Sequence, residues 1–319
     1  MRSRQNRLQS KRRKRRIWII STILFFFISA IAFAIYEFRS GYLLANDGEE
    51  ELGGESSNKE NFQGVSEDSG KLNVLLLGVD SRGEKKSRTD TIMVAQYDME
   101  ARTVKLISIM RDTYVEIPGY KNQKINAAYF YGGTELLRQT IQKNFGIDLE
   151  YYSIVDFKGF TKIVDTLAPD GIQVNVKKRM RYRDGAGTIN IDLHPGEQYL
   201  DGKQVLDYAR FRNDREGDFG RVERQQEVIT KLKDELLSLK GIMKIPRLLG
   251  TLTPFLETNM SQMKLVDLGT EFFIHPVEDI ETLRIPVDDS YKNKNYSHAG
   301  AVLEIDFEKN REAINHFLK

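Results

Sequence analysis

The chain has 319 residues, 40% hydrophobic and 29% charged, the balance of a globular protein with a sizeable core. It has no cysteine, which excludes disulfides, thiolate metal sites, a cysteine nucleophile and a lipoprotein anchor, and its four histidines show no metal-ligand spacing. The net charge of +2 hides nine basic residues and no acid between Arg2 and Arg16; the remainder is net acidic, which argues against a nucleic-acid partner.

Residues 1–16 read as a basic cytoplasmic tail, too short to fold a DNA-binding module. Residues 17–38 follow as a transmembrane anchor. The stretch IWIISTILFFFISAIAFAIY carries no charge, and at 1.5 Å per residue it spans about 30 Å, a bilayer's hydrocarbon thickness. Trp18 and Tyr36 stand near its two ends, where aromatics favour the interface. A cleavable signal would have a shorter apolar run and a small-residue cleavage site; this run ends in Tyr-Glu-Phe-Arg. With the basic cluster upstream, the positive-inside rule predicts a single-pass type II protein of the cell membrane, with everything after Phe38 outside the cytoplasm.

Residues 39–70 are polar and rich in Gly, Ser, Glu and Asn, which predicts a flexible extracytoplasmic stalk. The folded domain is expected over 71–319. NVLLLGV reads as a buried strand, and TIMVAQYD and TVKLISIM flank a turn at Met99–Arg102 as a hairpin. GTELLRQTIQKNFGI is helical and closed by Gly146; YYSIVDF and GIQVNV are strands, with FTKIVDTL a helix between them. Asp201 is placed to cap a short helix over KQVLDYAR, and RVERQQEVITKLKDELLSLK is a long one. The segment 245–272 reads as mainly helical, and a strand (AVLEIDF) and a helix close the chain. Alternating strands and helices without an internal repeat predict a single three-layer α/β/α domain with a mixed central sheet, preceded by one transmembrane helix.

Charged residues gather where strands end, the edge at which α/β folds place ligands: Asp80 and Arg82, then Arg88 and Asp90, then Arg111 and Asp112. Each could instead make ordinary loop hydrogen bonds or ion pairs. YARFRNDREGDFGRVERQQ is more telling, with Arg210, Arg212, Arg215, Arg221 and Arg224 in an otherwise acidic domain. Arg210 and Arg212 alternate as in an extended segment, and Arg221 and Gln225 share a face near a helix start, where anions are favoured. Arginine forks bind phosphate bidentately, so the pattern suits a pyrophosphate. Asp80 and Asp90 flank one strand region and could reach a divalent cation; alternatively Asp90 pairs with Arg88 or Arg111.

LLLGVDSR, SRTDTIMV, SIMRDTYVEIP, KINAAYFYGG and HPGEQYLDGKQVLDYARFRNDREGDFGRVERQQ, together with the basic-tail and anchor arrangement, resemble the LytR–CpsA–Psr family of Gram-positive cell-wall enzymes from residue 73 to about 230. The resemblance implies a phosphotransferase that moves an anionic glycopolymer, such as teichoic acid, from a polyprenyl-pyrophosphate carrier to the 6-hydroxyl of peptidoglycan muramic acid. It further implies that Asp80 and Asp90 hold Mg2+, with Mn2+ as a substitute. Arg88, Arg111, Arg210, Arg212, Arg221 and Gln225 would bind the pyrophosphate, with Arg111 and Arg212 also catalytic, and Asp218 would orient or deprotonate the acceptor hydroxyl. An apolar tunnel for the lipid chain is implied too, for which Ile125, Tyr129, Phe157, Phe160, Ile163 and residues 241–256 are candidates. The chain departs from the family pattern at Met110, often proline, at Pro169-Asp170-Gly171, often carrying a Gly-Gly pair, and at Val115, where some members have arginine. The alternatives are a non-enzymatic polyprenyl-phosphate-binding regulator and a pyrophosphatase of the same lipid.

Overall fold

The computed structural model describes residues 2–46, 62–65, 70–79, 89–185, 189–277 and 279–319. In chain order it begins with α1 (Arg2–Asn46), β1 (Lys71–Val79), β2 (Thr89–Asp98), β3 (Thr103–Ile109), β4 (Thr113–Val115) and β5 (Gln123–Lys124). Next come α2 (Asn126–Phe145), β6 (Tyr151–Asp156), α3 (Phe157–Leu167), β7 (Ile172–Val176), β8 (Met180–Arg183), β9 (Asn190–Leu193) and β10 (Gly196–Leu200). Helices α4 (Gly202–Arg210), α5 (Gly217–Leu237) and α6 (Leu239–Leu252) precede β11 (Leu256–Thr258), α7 (Gln262–Ile274), β12 (Asp279–Ile285), β13 (Tyr291–Tyr296), β14 (Gly300–Ile305) and α8 (Phe307–Leu318).

The central sheet has the order β11-β6-β1-β2-β3-β12. β1, β2 and β3 form an antiparallel meander, while β6 joins β1 and β12 joins β3 in parallel, so the sheet is mixed as the alternation of elements predicts. Strand periodicity assigns the faces. Leu75, Leu77, Ile92, Val94, Ile107, Tyr152 and Ile154 enter one core with Leu137, Ile141 and Phe145 of α2 and Ile314 of α8. Their immediate neighbours turn to the opposite face, which α3, α4 and α5 cover around a second core of Val164, Val205, Tyr208 and Val228. The result is the expected three-layer domain. A four-stranded sheet, β13-β14-β4-β5, continues it at one side.

Local sequence explains the helix ends. Gly146 closes α2 in the left-handed region at φ 74°, which a side chain would disfavour. Asp201 caps α4 in a full capping box with Gln204, as its position predicts. α4 runs through Arg210 and the backbone turns extended only at Phe211, so the expectation that Arg210 and Arg212 share an extended segment is corrected: Arg210 closes a helix and Arg212 follows it.

α1 is one continuous helix. Its stretch Leu24–Ala45 is long and apolar enough to cross a membrane, and Phe25, Phe26, Phe27 and Ile28 are all more than half exposed. The helix runs past the expected boundary at 38 to Asn46, so residues 39–46, read from sequence as stalk, are helical. Packing against α6 supplies what local composition lacked. Farther along the same stretch Phe62 rests against Tyr152, ring centroids 5.1 Å apart, and Val65 N–H donates to the Leu149 carbonyl at 2.9 Å.

Candidate functional site

Between the sheet face opposite α2 and helices α3, α4 and α5 lies a cavity of about 460 Å3. Strand parity decides which side chains reach it: Leu76 pairs with Met93 and Ser153, Gly78 with Thr91 and Val155, and all six line it. Phe157 and Phe160 of α3, Leu206 of α4 and Val228 and Ile229 of α5 complete walls that are mostly apolar. The expected tunnel residues divide accordingly. Phe157 and Phe160 line the cavity, whereas Ile125 is buried in the core on the opposite face, with Tyr129 packed against that core. Ile163 is not among the lining residues, and the α6 part of 241–256 packs behind α3 and against α1. Ile125 lies on the wrong side because it immediately precedes α2, which covers the other face.

Arg210, Arg212, Asn213, Arg221 and Gln225 also line this cavity, so a cationic mouth adjoins an apolar interior. Two elements set its shape. The end of α4 delivers Arg210, and the start of α5 delivers Arg221 and Gln225 one turn apart. The linking loop is clamped by Arg224, which is 5% exposed: it donates to the Phe211 carbonyl and, at 3.2 Å, to Asp214, while Asp214 also accepts from Gly217 N–H at 2.9 Å. Sequence reading counted Arg224 in the cluster but gave it no role; a buried guanidinium holding a loop carbonyl looks no different, in sequence, from one awaiting a ligand.

The cations have different states. Arg210 is fixed by Asp207, whose carboxyl burial pushes up against the lowering effect of Arg210, and its buried Nε has no hydrogen-bond partner among the described residues. Arg212 is exposed, with no carboxylate paired to it among the described residues. Arg221 Nη2 donates to Asp218 at 3.4 Å, and Arg111 Nε donates to the same Asp218 oxygen at 3.2 Å. Asp218 thus links two guanidinia, one of them at the cavity. Gln225 donates to Thr91 Oγ1 at 3.1 Å, tying α5 to β2 across the cavity.

The structure therefore brings Arg210, Arg212, Arg221 and Gln225 together, with Arg111 joined to them through Asp218. Asp80, Arg82 and Arg88 lie outside the described residues, as does the Asp90 side chain. The backbone does place Asp90 at an irregularity: Gly78 pairs with Thr91 and Val79 with Thr89, so Asp90 is the extra residue of a bulge, a device that re-aims side chains near active sites. Among the described residues no group of three or more His, Asp or Glu could hold a metal ion. Two departures from the family pattern have a packing account: Met110 and Val115 are both buried, Val115 completely.

Fold and site together define a class: an α/β domain with an apolar cavity whose mouth is lined by arginines. The LytR_cpsA_psr family model matches residues 36–313, and the chain belongs to that family. It is 43% identical over 257 residues to the Regulatory protein MsrR of Staphylococcus aureus (strain COL), covering 81% of this chain and 77% of that protein. It is 32% identical over 280 residues to the polyisoprenyl-teichoic acid–peptidoglycan teichoic acid transferase TagU of Oceanobacillus iheyensis, covering 85% of each. Among solved structures, the family protein YwtF (TagT) with bound octaprenyl pyrophosphate lipid matches with a TM-score of 0.58 and 25% identity, over 80% of this chain and 93% of that one.

Proposed function

We propose that the protein transfers an anionic glycopolymer, wall teichoic acid or a similar polymer, from a polyprenyl-pyrophosphate carrier to the muramic acid 6-hydroxyl of peptidoglycan, acting on the extracytoplasmic side of a Gram-positive cell membrane. The observation that carries this reading is the junction of an apolar cavity of about 460 Å3 with the guanidinia of Arg210, Arg212 and Arg221. The isoprenoid occupies the cavity and the pyrophosphate meets the arginines. The TagU relative and the lipid-bound TagT structure support the same assignment.

In the reaction, the sugar hydroxyl oxygen attacks the phosphorus nearer the polymer, and the bridging P–O bond breaks to release polyprenyl phosphate. Arg210, Arg212 and Arg221, with Arg88, stabilise the charge gathering on the bridging oxygen and the leaving phosphate. Gln225, held by Thr91, orients a phosphate oxygen. Asp218 keeps Arg111 and Arg221 in register and is assigned to orient or deprotonate the acceptor hydroxyl. Asp80 and Asp90 offer the hard carboxylate donors that suit Mg2+ or Mn2+, and the bulge at Asp90 supports a specialised position for one of them. A bound cation supplies neutralisation of pyrophosphate charge. The pyrophosphate is already activated, so no nucleotide is needed outside the cell.

The test incubates the full-length protein in detergent with a synthetic polyprenyl-pyrophosphate disaccharide, Mg2+ and uncrosslinked peptidoglycan oligomers, following phosphorus-containing products. A glycan–phosphate–peptidoglycan adduct that disappears with EDTA is expected. Free polyprenyl phosphate without adduct would assign a pyrophosphatase instead. Tight lipid binding without turnover would assign a carrier-binding regulator, the reading that the name of the S. aureus relative suggests.

A further inference from the structure

The apolar stretch of α1 overlaps its contact with the domain. Ala34, Glu37, Ser40, Gly41 and Ala45 are partly or fully buried at three-to-four-residue spacing, which marks one helix face, and that face lies along α6. The backbones meet closely: a Cβ on Gly41 would stand 2.0 Å from the Arg247 carbonyl oxygen, and one on Gly250 2.0 Å from that of Phe38. Beside this contact Arg247 forks onto Glu37, Nε donating at 2.6 Å and Nη2 at 3.1 Å. Small residues with a bidentate ion pair make a tight helix junction.

Counted from the end of the basic tail, the crossing overlaps that junction. Residues 17–33, between the basic tail and the contact face, extend only about 26 Å at 1.5 Å per residue, short of the about 30 Å of hydrocarbon in a bilayer. The last part of the crossing is therefore already in contact with α6. The flank exposes large apolar side chains among charged ones: Met243 of α6 is 62% exposed, and Met263 and Val266, three apart on α7, are 76% and 58% exposed, with Lys240 and Asp267 also exposed. Gly269 of α7 lies beside Leu249 of α6, so the two helices touch there.

We propose that the α6–α7 flank rests in the headgroup–acyl boundary of the bilayer that α1 crosses, so that α1 is a strut fixing the domain against the lipid rather than a loose tether. The inference rests on the reading of α1 as the membrane anchor. It gives the cavity a place: α6 packs on α3 and α5, two of the cavity's walls, so one helix layer, about 10 Å, separates the isoprenoid chamber from the membrane surface.

The absence of native cysteine permits single-cysteine spin labelling of the full-length protein in vesicles of phosphatidylglycerol and phosphatidylethanolamine. Labels would replace Ile28 in the span, Met243 and Met263 on the flank, and Tyr199, 65% exposed on β10, as an aqueous reference. Collision with oxygen rather than with a water-soluble nickel chelate is expected to be at least threefold higher at 28, 243 and 263 than at 199. Lipid-like behaviour at 28 with aqueous behaviour at 243 and 263 overturns the proposal alone; aqueous behaviour at 28 overturns the anchor reading beneath it. Adding Gly250→Leu is expected to turn the label at 263 aqueous while leaving that at 28 unchanged. An unmoved label at 263 in a folded G250L variant would refute the strut.

Discussion

On β1, Leu75 and Val79 are sealed in the core beneath α2 and α8, whereas Leu76 and Gly78, between them, face a cavity. The two faces of one sheet come from the same strands with the same alternation, yet one is solid and the other hollow. What differs is the cover. α2 lays Leu137, Ile141 and Phe145, all at most 1% exposed, onto its face. α4 and α5 lay arginines at the rim of theirs, and guanidinia cannot fill an apolar interior without losing their hydration. Stability is concentrated on one face and ligand space on the other, and each can be perturbed separately.

The largest expected effect breaks the solid face. Phe145→Ala removes a fully buried ring and should cost about 3–5 kcal/mol. Urea unfolding measures it, and transfer per folded molecule should stay near wild type. The hollow face should behave inversely. Arg212 is exposed, so Arg212→Ala should leave the unfolding midpoint within about 0.5 kcal/mol while lowering transfer roughly 100- to 1000-fold. Equal stability loss in both variants would erase the distinction between the faces. A finer probe fills the cavity: Ser153→Leu, on the hollow face, should change stability by less than about 1.5 kcal/mol and weaken polyprenyl-lipid binding about tenfold, read by isothermal titration.

Much of this contrast was legible in the sequence. The short apolar runs NVLLLGV and TIMVAQYD, with a turn at Met99–Arg102, place the meander, and the arginine-rich stretch from Arg210 to Gln225 marks the mouth of the cavity. A continuous apolar run shows only that both faces are apolar; whether a face is filled depends on helices that follow scores of residues later. That is why Ile125 and Tyr129 read as tunnel candidates and belong to the core opposite. The helical reach of α1 through Asn46 was hidden for a similar reason. The uncharged run ends at Tyr36, and only the backbone of α6 shows that Gly41, beyond it, is a helix contact.

The smallest effect sharpens the comparison on its solid side. Glu135 of α2 accepts from Arg138 Nε at 2.8 Å, from Gln63 N–H at 2.9 Å and from Gln139 at 2.8 Å. Burial alone would push its carboxyl up, but these donors, Arg138 foremost, hold it below the usual range. With the folded pKa depressed, the stabilisation is present above the unfolded value and disappears as pH falls through the folded one. Glu135→Gln should therefore cost about 1 kcal/mol at neutral pH, and the difference from wild type should shrink as pH falls below the ordinary carboxylate range. Gln63 belongs to the polar stretch ahead of β1, and its N–H is one of the donors. The substitution should thus also raise proteolytic cleavage near residues 62–65, with no change in transfer, because α2 lies on the face opposite the cavity. A loss of transfer matching the loss of stability would mean that the two faces are coupled through the sheet.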